Sequence, residues 1–287
     1  NEVKKFNKAF IKFYGNDILG KTNNYYAVSK HKSKTSYDKF IKFLNKNKLY
    51  YKKIKNENFS PYVSEPILSD EKNLNYFIIK KKILKNLKKS KINLLLNTEI
   101  KKKDLKNYDK IIIACYDQNN IVLKKLGFKP KKKYKYELVE KIIIKLPKRF
   151  KKESFMVLDG KFVSLDPYLG TNYHLLSDVK FSKIEIIRDY FPFFKSSKSK
   201  FVNKGIVKNI KLSRFNKFKN NSKKYLPFLE KAKYIGSFFV IRTIEMKKEK
   251  TDERLNQILQ INKKVITVLS GKWNTSVGLA KKLSNLI

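Results

Sequence analysis

Two short runs constrain this chain more than anything else in it. Residues 111–115 (IIIAC) are apolar at every position, and residues 265–269 (VITVL) are nearly so. A run of that length, apolar throughout, reads as a strand covered on both faces, the habit of a parallel sheet with helices packed on it. Residues 92–96 (INLLL) read as a third compact strand. Ahead of them, Ser69, Asp70 and Glu71 look like a helix start, a hydroxyl cap followed by acids that suit the positive end of the dipole. Leu74, Phe77, Ile78, Leu84 and Leu87 then carry a buried face to about Lys89.

The rest divides by period. Val3, Phe6, Phe10 and Phe13 recur at helical spacing over residues 2–14, and Ser36 opens a short helix with Phe40, Phe43 and Leu44 inward. Residues 24–29 read as a strand. The middle changes character. Residues 136–146, 155–158, 161–165 and 173–176 are short and rich in β-formers, with Gly160 and Asp166-Pro167 between some of them, which predicts an antiparallel sheet. One or two helices broken near Pro227 follow over 215–231, then a strand over 234–244. Thr251-Asp252-Glu253 reads as the cap of a helix over Leu255, Ile258 and Leu259. A last helix is predicted over 275–286, with Val277, Ala280, Leu283 and Leu286 inward. The expected class is α/β, a parallel sheet joined to an α+β part with an antiparallel sheet.

Composition removes several functions. The single cysteine, Cys115, excludes an internal disulfide, and with only His31 and His174 a structural zinc site is not expected. No apolar run approaches the ~18 residues of a spanning helix, and no signal-peptide core opens the chain, so a cytoplasmic location is expected. The chain opens on Asn1 rather than Met, and a missing natural N-terminus is expected. The 287 residues carry a formal charge of +44, yet only five of the basic residues are Arg. Phosphate and base readers recruit Arg for its planar fork. Lys is instead spread along the whole chain beside Asn, Ile, Phe and Tyr, as a bias toward A- and T-rich codons would produce. A nucleic-acid role is therefore the lesser reading; Tyr134 and Tyr136, after the Lys131–Lys133 run, are its only aromatic support. The Lys runs at 80–82, 101–103 and 131–133 read as solvated surface.

The sharpest chemical feature is the turn Ser270-Gly271-Lys272-Trp273-Asn274, between the strand over 265–269 and the helix starting near Thr275. Gly271 lets the backbone approach a ligand, the helix start presents N–H groups and a positive dipole end, and Lys272 adds a full charge. Such a turn favours a group that is, or becomes, negative; the plainer reading is an ordinary turn with Lys272 in solvent. Arg242 offers a fork for a carboxylate, or an ion pair with an acid such as Glu245. Tyr168 and His174 lie on the middle sheet, His174 being more ordinarily a satisfied structural residue. Trp273 either packs on a ring system or plugs the core beside Phe238 or Phe239. Cys115 reads as a small buried hydrophobe.

The order of these segments resembles the D-amino-acid-oxidase-like family of FAD-dependent oxidoreductases over essentially the whole chain. Residues 65–87 look like that family's Glu-bearing strand end and long helix. Residues 92–100 (INLLLNTEI) resemble the strand whose backbone meets the adenine end of the cofactor. Residues 108–117 (YDKIIIACYD) are similar to the strand that ends beside the dinucleotide, where Ala-Thr-Gly is usual. IGSFFVIRT, then TDERL and VITVLSGKWNTSVGLA, resemble the closing stretch, whose Gly-led turn faces the flavin. The resemblance implies a truncated Rossmann-like FAD-binding domain over 1–20, 65–126 and 245–287 and a substrate domain over 21–64 and 127–244. It implies FAD as cofactor, with Glu65, Ile100, Ala114, Cys115, Ser270, Gly271, Lys272, Trp273, Asn274 and Thr275 around it. It implies Tyr168, His174 and Arg242 at a small-molecule substrate, and oxidation of an amine or amino-acid-like donor with Lys272 and Arg242 as the catalytic pair. Ile100, Ala114 and Gly271 are then expected to border one groove. Two departures stand out. No two of the nine glycines are separated by a single residue, so GxGxxG is absent, and Cys115-Tyr116 stand where Thr-Gly is preferred. The opening βαβ unit is accordingly expected to be missing, and a polyanion-binding module or a non-catalytic scaffold of the same fold are the alternatives.

Overall fold

The amphipathic opening forms helix α1 (Glu2–Tyr14), which buries Phe6 and Phe10 and leaves Val3 and Phe13 in solvent. The computed structural model describes residues 2–158, 162–246 and 256–287. Thr251-Asp252-Glu253, Leu255 and Gly160 lie outside the described residues. The buried stripe of α1 is narrow because its partner is the C-terminal helix α6 (Ser276–Ser284), whose Gly278 lies so close that an added Cβ would meet the Phe6 ring at 2.2 Å. That approach also sets the inward face of α6. It is Gly278, Leu279 and Leu283, whereas Ala280 and Leu286 are exposed.

Strand β1 (Asn23–Val28) and helix α2 (Tyr37–Lys46) follow, the helix capped by Ser36 Oγ, which accepts from Lys39 N. Leu44 is buried, but Phe43 is exposed. After the short strands β2 (Tyr51–Lys53) and β3 (Ile67–Ser69) comes helix α3 (Tyr76–Lys89). The expected start at Ser69 is wrong by a turn and a half. Ser69 ends a strand, and the cap is Asn75, whose Oδ1 accepts from Phe77 N and Ile78 N. The expected strand over 92–96 does not form. Ile92, Leu94, Leu95 and Leu96 are each more than half exposed, with no strand beside them among the described residues. Strand β4 (Ile111–Ile113) forms but is not covered on both faces, since Ile113 is buried while Ile112 is 41 % exposed. Helix α4 (Asn119–Lys125) follows it directly.

The middle builds the larger body: β5 (Tyr134–Lys145), β6 (Glu153–Leu158), β7 (Val163–Tyr168), β8 (Tyr173–Asp178) and β9 (Lys183–Asp189), then α5 (Phe215–Ser222) and β10 (Lys233–Glu245). Among the described residues they join β1, β2 and β3 in a sheet ordered β10-β5-β8-β7-β6-β1-β3-β2, with β9 also on β5. Every pair in it is antiparallel except β1 with β6. β3, placed by the expected division with the cofactor-binding segments, thus belongs to this sheet. One face packs under α5, with Ile142, Ile144, Phe155, Leu165, Leu176 and Phe218 fully buried. Each such side chain contributes roughly 1.5–3 kcal/mol relative to an exposed position.

The smaller sheet is β11 (Gln257–Gln260), antiparallel to β12 (Val265–Leu269), which is parallel to β4. Ile258 and Leu259, expected on a helix, are therefore on a strand. Residues 257–260 meet 266–269 across a tight turn, and cross-strand pairing outweighs a short helical pattern. The fold is mixed α/β, one sheet containing a parallel pair and the other mostly antiparallel.

Candidate functional site

Parallel pairing of β4 and β12 brings two distant strand ends to one place. Val265, Ile266 and Thr267 pair in register with Ile111, Ile112 and Ile113, so both chains leave the sheet at the same end. Asn119 ties the exits together: its Oδ1 accepts from Cys115 N at 2.7 Å and its Nδ2 donates to Val268 O at 2.9 Å. Cys115 is exposed rather than a buried hydrophobe, because the chain has already turned out of the sheet. Tyr116 makes that turn with φ +53°, a left-handed conformation that costs a side-chain-bearing residue roughly 1–2 kcal/mol. Its hydroxyl accepts from Thr243 N on β10 at 3.1 Å, an anchor that a glycine could not supply.

The C-terminal turn is held from within. Gly271 N donates to Asn256 Oδ1 at 3.1 Å, and Thr275 Oγ1 donates to the same oxygen at 2.8 Å. Ser270 Oγ and Thr275 N donate to Lys272 O, and Asn274 Nδ2 reaches Asn7 Oδ1. The Gly271 N–H is thus engaged inside the protein rather than presented to a ligand. Helix α6 starts one short turn later, at Ser276.

Between this turn, α1 and α3 lies a cavity of about 870 Å³. Phe10, Tyr14, Tyr76, Ile79, Ile83, Tyr116 and Trp273 supply apolar and aromatic walls, and Lys80 and Lys272 supply charge. Helix α3 is positioned for this by polar contacts just before it. Asn75 N donates to Ile18 O at 2.8 Å, and Asn73 accepts from Thr22 Oγ1 and donates to Asp166 Oδ1 on β7. A row of ring contacts runs from the cavity to the large sheet: Trp273 to Tyr76 at 5.7 Å, Tyr76 to Phe77 at 5.4 Å, Phe77 to Tyr168 at 5.5 Å and Tyr168 to Phe238 at 6.1 Å. Trp273 is 54 % exposed and does not plug the core beside Phe238 or Phe239.

The expected residues separate into two groups. Ser270, Gly271, Lys272 and Trp273 line the cavity; Cys115, Asn274 and Thr275 are chain neighbours of lining residues but do not line it. Ala114, two residues before Tyr116, is at the tip of β4 but does not line the cavity, and neither does Ile100, which is exposed. Glu65 is elsewhere, accepting from Tyr37 Oη at 3.2 Å and pairing with Lys53 at 3.5 Å.

On the large sheet, Tyr168 contacts Phe238, and Phe238, Val240 and Arg242 share a face by the two-residue period of β10. Tyr168 and Arg242 are therefore on one side. His174 is on the other, among the core residues under α5: it pairs with Ile144, is 2 % exposed, and its Nε2 contacts Phe150 O at 2.7 Å. Burial pulls the His174 pKa below its ordinary value, so it is a neutral packing residue away from the cavity. Arg242 pairs with buried Glu137 through Nε at 2.7 Å and through Nη2, not with Glu245, which takes Lys132. Lys135 and Lys183 approach the same carboxylate at 3.2 and 3.4 Å. Burial alone would push the Glu137 carboxyl up, but the Arg242 and Lys183 charges and the Arg242 hydrogen bond outweigh it and hold it below the ordinary value.

Lysine runs and tyrosines differ from expectation in part. Lys80, Lys81, Lys101, Lys102, Lys103, Lys131 and Lys133 are exposed as expected, and the departures are half-buried Lys82, which binds Tyr14 O and Asp17, and half-buried Lys132, which pairs with Glu245. Tyr134 and Tyr136 are 5 % and 1 % exposed and cannot stack on bases. Sequence reasoning missed Tyr116, Tyr76, Lys80, Asn119 and Asn256. Tyr116 alone had a signal, its place where glycine is usual.

No protein-family model matches the sequence, and none of the curated proteins does. Solved structures do match in fold. An L-proline dehydrogenase from P. horikoshii superposes with TM-score 0.66 at 12 % identity, over 97 % of this chain and 75 % of its own. A glycine oxidase from Geobacillus kaustophilus gives 0.63 at 10 %, over 99 % and 75 %. NikD, described as an unusual amino acid oxidase essential for nikkomycin biosynthesis, gives 0.68 at 8 %, over 99 % and 77 %. Among the described residues, no helix is long and apolar enough to cross a membrane.

Proposed function

We propose that this chain serves an FAD-dependent oxidoreductase acting on an amine or amino-acid-like small molecule. The observation that carries the reading is that the chain beyond β4, at Tyr116, and the turn beyond β12, at Ser270–Trp273, meet on one aromatic-walled cavity bearing Lys80 and Lys272. The named activities of the structures with the same fold support it, as does the sequence resemblance. In this reading residues near 1–20, 70–126 and 245–287 form the cofactor side, and the large sheet forms the substrate side.

The residues present fit FAD at one end only. The cavity has the volume and flat aromatic walls for the ring system, and Lys272 offers charge there. For the diphosphate, a glycine-rich turn is required, and no two glycines of this chain are closely enough spaced. The Gly271 N–H is moreover taken by Asn256. No step of a reaction is therefore written through the cofactor. What the chain's own residues offer is a positively charged, solvent-exposed wall at Lys272 and Lys80. On the sheet face shared by Tyr168 and Arg242, three cations surround one carboxylate, which leaves net positive charge for a substrate carboxylate.

Lumiflavin, the ring system without ribityl or phosphate, tests this on the chain itself. Its fluorescence should be quenched on titration with the protein, and Tyr116→Ala or Trp273→Ala should weaken the quenching several-fold. Absence of quenching, or quenching indifferent to both variants, would reject the cavity as a flavin site. A role in polyanion binding has lost its aromatic support with the burial of Tyr134 and Tyr136.

A further inference from the structure

A second, smaller cavity of about 220 Å³ lies at the end of β5, where the chain turns toward β6. That is below the roughly 300–1,000 Å³ of pockets that take drug-sized ligands, so it suits a small group. Lys145, Lys148, Lys151 and Asn172 line it and are exposed; Leu146 and His174 are its buried members. No carboxylate lines it, and among the described residues none of these three lysines is in an ion pair. Lys82, Lys125, Lys132, Lys135 and Lys183, by contrast, each hold an acid. His174 is only half satisfied. A carbonyl can only accept, so Nε2 donates to Phe150 O at 2.7 Å and carries the proton of the neutral ring. Nδ1 is left as a bare lone pair, buried and without a partner among the described residues. Such an enclosed, unpaired atom in a native protein calls for a water or a ligand to explain it.

We propose that this cavity binds a doubly charged tetrahedral oxyanion (sulfate, phosphate or a phosphate monoester) through Lys145, Lys148 and Lys151, with His174 Nδ1 as a buried donor once it takes up a proton. The site is independent of the flavin reading, since His174 is on the sheet face away from Tyr168 and Arg242. Three unpaired ammonium groups supply the attraction, and the charged imidazole adds a charge-assisted hydrogen bond. The surroundings couple the two events. Asp166 on β7 and Glu153 on β6 favour the charged ring, but burial outweighs them and holds its pKa below the ordinary value. Lys145 on β5 and Lys148, Arg149 and Lys151 on the connecting turn add positive charge, which an arriving dianion offsets. Anion binding and proton uptake therefore reinforce each other, and affinity rises as pH falls.

Sulfate is the probe, because unlike phosphate it keeps both charges at mildly acidic pH, so any pH dependence belongs to the protein. The chain has two histidines, and His31→Gln assigns the His174 ring signals in NMR. Sulfate, compared with chloride at equal ionic strength, should raise the protonation midpoint of His174 by about one unit, which by linkage is a tenfold gain in sulfate affinity on acidification. Lys148→Gln with Lys151→Gln, both exposed, should weaken sulfate binding at least about fivefold. Lys101→Gln with Lys103→Gln removes the same charge elsewhere and should not. His174→Gln keeps a donor for Phe150 O and should abolish the pH dependence; should it fail to fold, the ring titration and the lysine pairs still decide. Phenyl phosphate bound more tightly than sulfate and phosphate identifies a phosphate monoester as the ligand; equal binding of all three identifies the free ion. A His174 ring indifferent to sulfate over chloride, equal losses in the two lysine pairs, or pH dependence retained in folded His174→Gln would each overturn the proposal. The cavity would then hold only water, or the attraction would be the diffuse one of a chain with a charge of +44.

Discussion

The two sheets of this protein differ in how completely each satisfies itself. The large sheet buries one face under α5, and it gives the carboxylates it encloses hydrogen-bonding and charged partners. Glu140 accepts from Ser213, Ser237 and Arg214 N, and Glu137 gathers Arg242, Lys135 and Lys183. Among the described residues, the small sheet has three strands, with one buried isoleucine on β4 beside an exposed one, and the segment at 92–96 leaves its apolar side chains in water. A sheet whose strands lead to the cavity can thus be much less self-sufficient than the sheet beside it. The burial of area decides the first property, and the position of two strand tips decides the second.

The sharpest way to break the comparison is to remove one large side chain from each sheet. Phe155, fully buried and in ring contact with Tyr25, Phe59, Phe150 and Phe228, should cost about 3–5 kcal/mol as Phe155→Ala in urea unfolding. Ile112→Ala should cost less than about 1 kcal/mol, because that side chain is already in water for much of its surface. Equal losses would mean that the small sheet is as well packed as the large one.

Next in size is the buried charge. Glu137→Gln should destabilise by about 2 kcal/mol, less than a fully enclosed pair because Arg242 and the lysines can turn toward solvent. The pH dependence has a definite sign. The folded Glu137 carboxyl sits below its ordinary value of 4.5, so the unfolded chain binds the proton more readily. Its contribution is complete above that value and is lost as pH falls through the lower, folded one. The gap in stability between parent and variant should therefore close on acidification, as paired urea titrations between neutral and acidic pH would show. A gap that stays constant would place the effect in packing rather than charge.

A smaller effect than that of Glu137 is expected where the two sheets meet. Tyr116→Phe deletes the acceptor for Thr243 N and should cost about 1 kcal/mol, leaving the left-handed turn in place. Tyr116→Gly relieves the backbone and loses the anchor together, so it should fall near the Phe variant rather than below it. A Gly variant markedly more stable than the parent would show that the hydroxyl anchor contributes little.

Much of the fold was legible in the chain because local rules carry it. The helical period over 2–14, the Ser36 cap, the β-rich middle and the strand–turn–helix at the C-terminus are all written in neighbouring residues. The failures share one cause. Ser69 lost to Asn75 because a strand partner claimed residues 67–69. Residues 92–96 have the composition of a strand but, among the described residues, no second strand to pair with, and a strand is stable only in company. His174 and Tyr168 both read as site candidates, yet the alternation of the sheet puts them on opposite faces, and only the pairing register says which face is which.

By itself, then, the amino-acid order determined which stretches could be helix or strand, and that a charged glycine turn stood before the last helix. It did so because each of those features is set within about four residues along the backbone. Only the tertiary structure decided that Arg242 would spend its fork on Glu137, that Asn256 would occupy the Gly271 N–H, and that Tyr116 would join β4 to β10. Such partners are chosen by register and packing between distant segments, and a hydrogen-bonding side chain carries no mark of which distant group will reach it first.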